Sequence, residues 1–356
     1  MEHARKKLEQ WLSAQRDSIG FLVSKPENIF WLTGFQGSFS FFLQEKSGGK
    51  YLITDSRYAI KARKICEHER IKFLLFEATF SEKFGKKFQG IWALEDTTTI
   101  AQGKRMNALF PQVQWKTTTG VLEKLRRQKT KEEILNITKA QNQVDKILLP
   151  FVHEKLRPGI SERTVAFDLE CAIRDHGKFE LSFDPIVAFG QNSAIPHHSP
   201  TDQKLKRGDV VLIDCGAKYK GYCSDMTRTF GYGKVSNEFF KKYELLLSGQ
   251  CKALASFIRG TKTSLPDEIC RKILGREAQY FTHSLGHGVG LEIHESPSIR
   301  SEGKPEDDFF QENEVVTCEP GLYYAGKFGI RIEDLVLITD KKPRVLSRTP
   351  KERIIF

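Results

Sequence analysis

The sequence of 356 residues lacks the features that mark several common classes of protein. It has no apolar run as long as a membrane span, and residues 1–20 have no apolar core of the kind found in secretion signals. It also has no GxSxG motif of serine hydrolases, no GxGxxG nucleotide-binding motif and no P-loop. We therefore expect a cytoplasmic protein that has no membrane partner and does not use these chemistries.

Cysteine spacing and charge restrict the class further. The seven cysteines form no CxxC pair and no regular framework, which is typical of reduced thiols inside the cell. The net charge is +11, and residues 1–130 hold 23 Lys and Arg against 13 Asp and Glu. We interpret this basic excess as a solvated face, and a nucleic-acid surface is the alternative. No arginine-rich run or RNA-binding aromatic motif supports that alternative, so we expect no nucleic-acid partner.

The first 128 residues have the pattern of a small α/β domain. Short apolar runs alternate with Gly and Pro, as in strands joined by turns, and two stretches have helical spacing. We predict helices over residues 3–17 and 59–67, and strands over residues 20–23, 29–32, 39–43, 51–54 and 71–76.

From residue 129 onward the pattern indicates a second, α+β domain. Thr130 and Glu133 have the spacing of a capping box and predict the start of a long helix, which Pro150 could kink. Ser161 can cap the start of a second helix, which we expect to run to Arg174. We predict strands over residues 184–189, 209–215, 221–229, 290–295, 313–319 and 328–338, with a helix near 236–258.

Charged side chains interrupt the apolar runs of this second domain. Asp214, Glu319 and Glu333 each follow or break a strand-like stretch, and Asp225 leads into another. A lone buried carboxylate is very costly unless it is paired, hydrogen-bonded or bound to a metal. Together with His287, which lies in the glycine-rich run 286–290, these residues could form a cage for two divalent cations.

Asp214 and Asp225 are eleven positions apart, with a turn-like segment at 217–221 between them. An antiparallel hairpin would bring the two carboxylates together, where they would repel each other unless a cation neutralised them. The alternative is an aspartate at each strand end that makes only turn hydrogen bonds.

Histidines are concentrated near the same segments. His283, His287 and His294 fall within thirteen residues, and the glycines between them allow backbone to pass close to a ligand. His197 lies in a loop upstream, where alone it would be interpreted as an ordinary loop residue. Arg331 shares a strand face with Glu333 by alternation, either as a surface pair or as a buried pair that needs a further partner.

These motifs, in this order, resemble the methionine aminopeptidase/prolidase superfamily with its pita-bread catalytic fold, and most closely its Xaa-Pro peptidases, aminopeptidase P and prolidase. The resemblance covers essentially the whole chain. It implies an α/β N-terminal domain over residues 1–128, an α+β pita-bread catalytic domain over residues 129–356, and a homodimer.

The resemblance also implies a dinuclear centre of divalent ions, with Mn²⁺ expected and Co²⁺ or Zn²⁺ as alternatives. Its ligands would be Asp214, Asp225, His287, Glu319 and Glu333. Asp225 and Glu333 would bridge the ions, and Glu319 would also move a proton. His197 and His294 match the two substrate-facing histidines, His283 lies beside the site, and Arg331 is a supporting residue.

The expected function is that of an aminopeptidase P, which removes an N-terminal residue that precedes proline in a peptide. Prolidase, restricted to Xaa-Pro dipeptides, is the first alternative. Methionine aminopeptidase fits less well because those enzymes usually lack this N-terminal domain. A binding protein that keeps the fold but has lost catalysis is a further alternative, and the complete set of ligands disfavours it.

Three positions depart from the family pattern and bear on pocket shape and metal choice. Phe189 and His198 stand where smaller residues are common, and Cys318 precedes Glu319 where an apolar residue is usual.

Cys223, two residues before Asp225, should share the face of that carboxylate if the strand is regular. Its sulfur would then favour softer cations or make the site sensitive to oxidation. The alternative is a thiol that only packs in the core.

Overall fold

The computed structural model describes residues 1–301 and 308–351. The chain divides into two compact units, Met1–Arg126 and Arg127–Phe356, whereas the boundary expected from the sequence lies between residues 128 and 129. Among the described residues, no helix combines the length and the apolar character needed to cross a membrane.

The first unit is a mixed six-stranded sheet with helices, in the strand order β4-β3-β2-β1-β5-β6. Its strands are Gly20–Val23 (β1), Phe41–Glu45 (β2), Lys50–Thr54 (β3), Lys72–Leu75 (β4), Gln89–Glu95 (β5) and Gln112–Thr118 (β6). Its helices are Glu2–Ala14 (α1), Pro26–Thr33 (α2), Ala59–Glu69 (α3), Phe80–Lys83 (α4), Ile100–Leu109 (α5) and Val121–Arg126 (α6). The α/β character predicted for this part of the chain is confirmed.

One predicted strand of this unit is wrong. Residues 29–32 form part of helix α2, which begins with Pro26 in its first turn and ends at Gly34 with a φ of 75°. Proline is favoured at a helix start and glycine at its left-handed end, so these two residues set the helix limits. The apolar run that suggested a strand is the buried side of this short helix.

The second unit contains four α-helices among its described residues and many short strands. The helices are Lys131–Lys155 (α7), Glu162–Arg174 (α8), Asn237–Leu254 (α9) and Leu265–Leu274 (α10). The strands are Glu180–Leu181 (β7), Ile186–Phe189 (β8), Val210–Cys215 (β9), Ala217–Tyr219 (β10), Tyr222–Cys223 (β11), Met226–Gly231 (β12), Gly286–Gly288 (β13), Glu295–Ile299 (β14), Val315–Cys318 (β15), Gly321–Tyr324 (β16), Phe328–Arg331 (β17), Asp334–Leu337 (β18) and Arg344–Val345 (β19).

Both predicted helix starts in this unit are confirmed. Thr130 Oγ1 accepts from the backbone N of Glu133, and the Glu133 side chain accepts from the backbone N of Thr130, which completes the capping box. Ser161 caps α8 through the backbone N of Thr164. Helix α7 continues past Pro150 to Lys155.

Two hydrophobic clusters of the second unit fix the strands that carry the acidic residues. Helices α7 and α8 pack with strands β8, β9 and β12 in one cluster. Helix α9 and residues of α10 pack with strands β15 to β18 in the other. Each half therefore buries its strands against its own pair of helices, and the candidate ligands lie on or directly beside the strands of both halves.

The predicted strands of this unit need three corrections. Residues 290–294 form a loop between β13 and β14, and a Cβ at Gly290 in this loop would meet the Glu295 carboxylate. The single strands predicted over 221–229 and 328–338 are each broken in two, at residues 224–225 and 332–333. Both breaks contain a candidate ligand, Asp225 or Glu333. Helix α10 is a separate difference, because the sequence pattern did not predict it.

Candidate metal centre

Asp214 and Asp225 come together through an antiparallel pair of strands. In the register of β9 and β12, Cys215 lies opposite Met226, and Asp214 lies opposite Thr227. Asp225 occupies the break just before β12. The hairpin inferred from the eleven-residue spacing is present, with its tip between β10 and β11.

Glu333 and Glu319 reach the same region from the other half of the unit. Glu333 lies between β17 and β18, where its backbone N donates to Thr227 O at 3.1 Å. Thr227 Oγ1 in turn donates to Glu333 Oε2 at 2.7 Å. Glu319 directly follows β15, and its backbone N donates to Leu285 O at 2.8 Å. Strand ends from both halves thus converge on one set of carboxylates.

His287 lies in the middle of β13, and its ring has a defined orientation. Nδ1 is 3.0 Å from Gly288 O, so Nδ1 carries the proton that it donates and leaves Nε2 free to coordinate. Nε2 lies 3.6 Å from Asp225 Oδ2 and 3.3 Å from Glu319 Oε1. One ligand atom each from Asp225, His287 and Glu333 falls within 4.8 Å of the others.

The electrostatics of this cluster require compensating positive charge. Burial, followed by repulsion from neighbouring carboxylates, raises the pKa of both Asp225 and Glu333 well above ordinary values. Burial also raises the pKa of Asp214, although Arg331 opposes the shift. The pKa of Glu319 falls to about 2, since the hydrogen bond and charge of His287 outweigh the effect of burial.

The donor set of the cluster fits divalent cations. Four carboxylates and one imidazole nitrogen are the ligand types that Mn²⁺, Co²⁺ and Zn²⁺ accept in proteins. Asp214 Oδ1 is buried and has no hydrogen-bond partner among the described residues. Buried polar atoms in folded proteins nearly always have such a partner. Metal ions within this cluster would satisfy that oxygen and remove the carboxylate repulsion.

Arg331 donates hydrogen bonds to Asp214 and to three residues around the cluster. Its Nη2 donates to Asp214 Oδ2 at 2.6 Å and its Nε to Thr227 Oγ1 at 2.9 Å. Its Nη1 donates to Tyr323 OH at 2.9 Å and to Pro196 O at 3.2 Å. Arg331 is only 4% exposed, so it is buried, and its ion pair is with Asp214 rather than with Glu333.

The sequence did not single out Thr227, Tyr323 or Thr317, which all bind candidate ligands or Arg331. Thr317 Oγ1 lies 3.4 Å from Glu319 Oε1 and accepts from the backbone N of His287 at 3.1 Å. Position was the available signal: Thr317 lies two residues before Glu319, and Thr227 two residues after Asp225. Tyr323 had no such signal because its role depends on the pairing of β16 with β17.

The remaining predicted histidines lie around this cluster in different environments. His197 and His294 are both exposed, and the His294 ring is 4.4 Å from the His287 ring between centroids. The charge of His197 contributes to lowering the pKa of both His294 and His283, after the larger effect of burial. His283 is partly buried, and its Nε2 lies 2.9 Å from Tyr323 OH.

Cys223, the thiol expected to face the carboxylates, does not do so. Residues 224–225 break the strand, so alternation does not carry from Cys223 to Asp225, and Cys223 Sγ instead lies 3.7 Å from Leu291 O. Burial raises the pKa of Cys215 well above its usual value, and the charges of Asp214 and Asp225 raise it further. The pKa of Cys223, raised to about 11, reflects burial above all.

Comparison with known families decides the assignment. Residues 136–340 match the model of metallopeptidase family M24, and residues 5–128 match the creatinase/prolidase N-terminal domain. The chain belongs to metallopeptidase family M24. An uncharacterized peptidase of Bacillus subtilis, YqhT, is 35% identical over 95% of this M24 chain and 96% of its own length.

Solved structures support the same family. An Xaa-Pro dipeptidase from Bacillus anthracis has a TM-score of 0.90 and 31% identity, covering 100% of this M24 chain and 98% of its own. An X-Pro aminopeptidase from Thermotoga maritima has a TM-score of 0.85 and 32% identity, covering 96% and 98%. The expected fold class, an α/β N-terminal domain followed by an α+β pita-bread domain, is confirmed, as is the resemblance to Xaa-Pro peptidases.

Proposed function

We propose that this chain is an Xaa-Pro aminopeptidase, which hydrolyses the bond between the first residue of a peptide and a proline in the second position. The observation that supports this most strongly is the convergence of four carboxylates and His287 on one buried site with exposed His197 and His294 beside it. The names of the Bacillus anthracis and Thermotoga maritima relatives support the Xaa-Pro specificity.

In this proposal the five residues Asp214, Asp225, His287, Glu319 and Glu333 hold two divalent ions. Such a pair supplies an activated water and polarises the scissile carbonyl. Asp225 and Glu333 would help to hold both ions, whereas Asp214 and His287 would each help to hold one. Glu319 would be a further ligand, and its carboxylate could accept a proton from the attacking water and pass it on.

The exposed histidines and the substrate itself complete the proposed chemistry. His197 and His294 can donate hydrogen bonds to the oxygen that becomes negative in the transition state. A bond that precedes proline has no N–H and restricts the residue before it. A pocket shaped for the proline ring can therefore select this bond.

Arg331 is not well placed to recognise the free carboxylate of a dipeptide. A dipeptidase must recognise the free carboxylate that follows proline, and a guanidinium is well suited to that role. Arg331 is the guanidinium whose charge lowers the pKa of all four candidate carboxylate ligands. However, each of its three nitrogens already donates to a protein oxygen. It is therefore poorly placed to bind a substrate carboxylate as well.

The second candidate function is that of an Xaa-Pro dipeptidase, and the name of the Bacillus anthracis relative favours it. Mn²⁺ is the metal we propose, because four carboxylates with one imidazole suit a hard cation. A cytoplasmic location is in keeping with seven free cysteines. A homodimer is proposed from the resemblance alone.

A cleavage assay tests the proposal. The purified chain is stripped of metal, reloaded separately with Mn²⁺, Co²⁺ and Zn²⁺, and incubated with matched Xaa-Pro, Xaa-Pro-Yaa and Xaa-Ala-Yaa peptides. We expect release of the first residue from Xaa-Pro-Yaa and none from Xaa-Ala-Yaa. Cleavage of Xaa-Pro alone would establish the dipeptidase instead, and inactivity toward both proline peptides would refute both functions.

A further inference from the structure

Glu162 is a fully buried carboxylate that binds the start of the loop carrying His197. It is the first residue of α8, follows the capping Ser161, and is 0% exposed. Its Oε1 accepts from the backbone N of Phe189 at 2.8 Å and from Asn192 Nδ2 at 2.9 Å. These two contacts fix the point at which the chain leaves strand β8.

The other oxygen of Glu162 binds the end of the same loop. Oε2 accepts from His198 Nε2 at 2.8 Å, and from the backbone N and Oγ1 of Thr201 at 2.9 Å and 2.6 Å. His198 is buried, at 8% exposure, whereas its neighbour His197 is exposed. One carboxylate therefore closes a loop whose exposed imidazole lies between the positions that the carboxylate holds.

The tip of this loop is tied to the metal centre by a separate contact. Pro196 O, directly before His197, accepts from Arg331 Nη1 at 3.2 Å, and Arg331 also binds the candidate ligand Asp214. The loop is thus held on one side by Arg331 and on the other by Glu162. Hydrogen bonds from Thr201 and His198 outweigh burial and lower the pKa of Glu162, so the anchor is ionised at neutral pH.

We propose that Glu162 and His198 are positioning residues, which hold the imidazole of His197 toward the metal centre by fixing the loop on both sides of it. The inference rests on the proposed function, in which His197 contacts the substrate. His198 matters because its ring binds Glu162 and so supplies an anchor directly next to the functional imidazole. A small misplacement of such a group is costly in rate.

Four variants test the anchor by steady-state kinetics with Xaa-Pro-Yaa peptides on metal-loaded protein. Glu162→Gln keeps the shape but loses the charge, His198→Phe keeps a ring without a donor, and His198→Gln keeps a donor. We expect kcat to fall about tenfold to a hundredfold in the first two, with KM little changed, and to be largely retained in the third. Glu314→Gln is the matched control, because Glu314 is also 0% exposed but binds Arg127 and the backbone N of Gln311.

A second experiment asks whether Glu162 acts through His197. Glu162→Gln is introduced into a His197→Ala background, where we expect it to lower kcat by no more than about twofold, since coupled residues are not additive. Bound metal should stay equal to that of the unmodified protein in all of these variants. An equal fold-loss of kcat with and without His197 would overturn the proposal, as would a loss of stability that matches Glu314→Gln while kcat is unchanged.

Hydrogen exchange separates this inference from the proposed function. Glu162→Gln should speed amide exchange in peptides covering residues 190–200 and leave those covering 283–294 unchanged. If the unmodified protein cleaves no Xaa-Pro substrate, the proposed function fails, and this readout still reports on the anchor. Unchanged exchange over residues 190–200 would overturn the anchor whatever the substrate is.

Discussion

Arg331 donates from Nη2 to Asp214 Oδ2 at 2.6 Å, and this contact leaves Asp214 Oδ1 as a buried oxygen with no partner among the described residues. The guanidinium thereby determines which oxygen of Asp214 is available to a metal. Partners of this kind orient ligands and are often as important as the ligands themselves. The relationship explains why a buried arginine lies two residues before Glu333.

Arg331→Lys should impair the centre even though it conserves the charge. A lysine ammonium cannot reproduce the planar arrangement that binds Asp214, Thr227 and Tyr323 together. We expect metal affinity or kcat to fall by about tenfold to a hundredfold, as for other partners of metal ligands. Metal titration and kinetics measure the two quantities separately, and a variant unchanged in both would contradict this role.

Asp225→Asn should remove one of the carboxylates proposed to bridge the ions while preserving its shape. We expect activity to fall by several orders of magnitude and bound metal to drop below two ions per chain, because an amide oxygen is a weaker ligand than a carboxylate. Elemental analysis of the dialysed protein gives the metal content. Asp209→Asn is the comparison variant, since Asp209 is a carboxylate that binds the backbone N of Lys206. Normal turnover with full metal content in Asp225→Asn would argue against the dinuclear assignment.

Lys129→Met should affect His294 through Glu295, the residue that follows His294 and pairs with Lys129. Lys129 Nζ lies 3.1 Å from Glu295 Oε2, both side chains are 2% exposed, and Glu295 Oε1 accepts from the backbone N of Glu292. Removing one partner of a buried ion pair costs about 3–5 kcal/mol in the free energy of unfolding. We expect that loss together with a lower kcat, measured by denaturant unfolding and peptide cleavage.

Arg127→Met provides the control for Lys129→Met. Arg127 comes from the same segment and forms a buried ion pair with Glu314 and a second with Asp308. It should lose comparable stability while the kcat of the folded protein stays unchanged. Equal effects of the two variants on kcat would show that the Lys129–Glu295 pair supports only the fold.

Two of the seven thiols should react with an alkylating reagent in the native protein, and the other five should not. Cys171 and Cys251 are exposed, and the other five cysteines are buried. Burial raises the pKa of Cys66 and Cys223 to about 11 and that of Cys270 to about 12, so little of the reactive thiolate forms. Alkylation of the native protein followed by peptide mapping should label Cys171 and Cys251 alone. Labelling of Cys223 before unfolding would reopen its predicted role in oxidation.

The sequence was most informative where local chemistry determines structure. The capping box at Thr130 and Glu133 and the Ser161 cap predicted two helix starts, since both depend on residues within one turn. The hairpin between Asp214 and Asp225 was predictable from a turn flanked by alternating strands. The five candidate ligands were noticed because charge in an apolar run is costly.

The sequence was least informative where distant contacts determine structure. Helix α2 was mistaken for a strand because its apolar run is short and buried, and Pro26 and Gly34 carried the only contrary signal. Arg331 was paired with Glu333 by alternation, although its partner is Asp214 from another strand. Glu162 gave no signal at all, because its role depends on a loop that begins 27 residues later.

The central claim is that one pair of divalent ions, held by this set of ligands, is needed for cleavage before proline. The most direct test titrates Mn²⁺ into the metal-free chain and records bound ions and Xaa-Pro-Yaa turnover on the same samples. We predict saturation at two ions per chain, with full turnover reached only as the second ion binds. Full turnover of the metal-free chain, or saturation with no cleavage under any of the three metals, would contradict the claim.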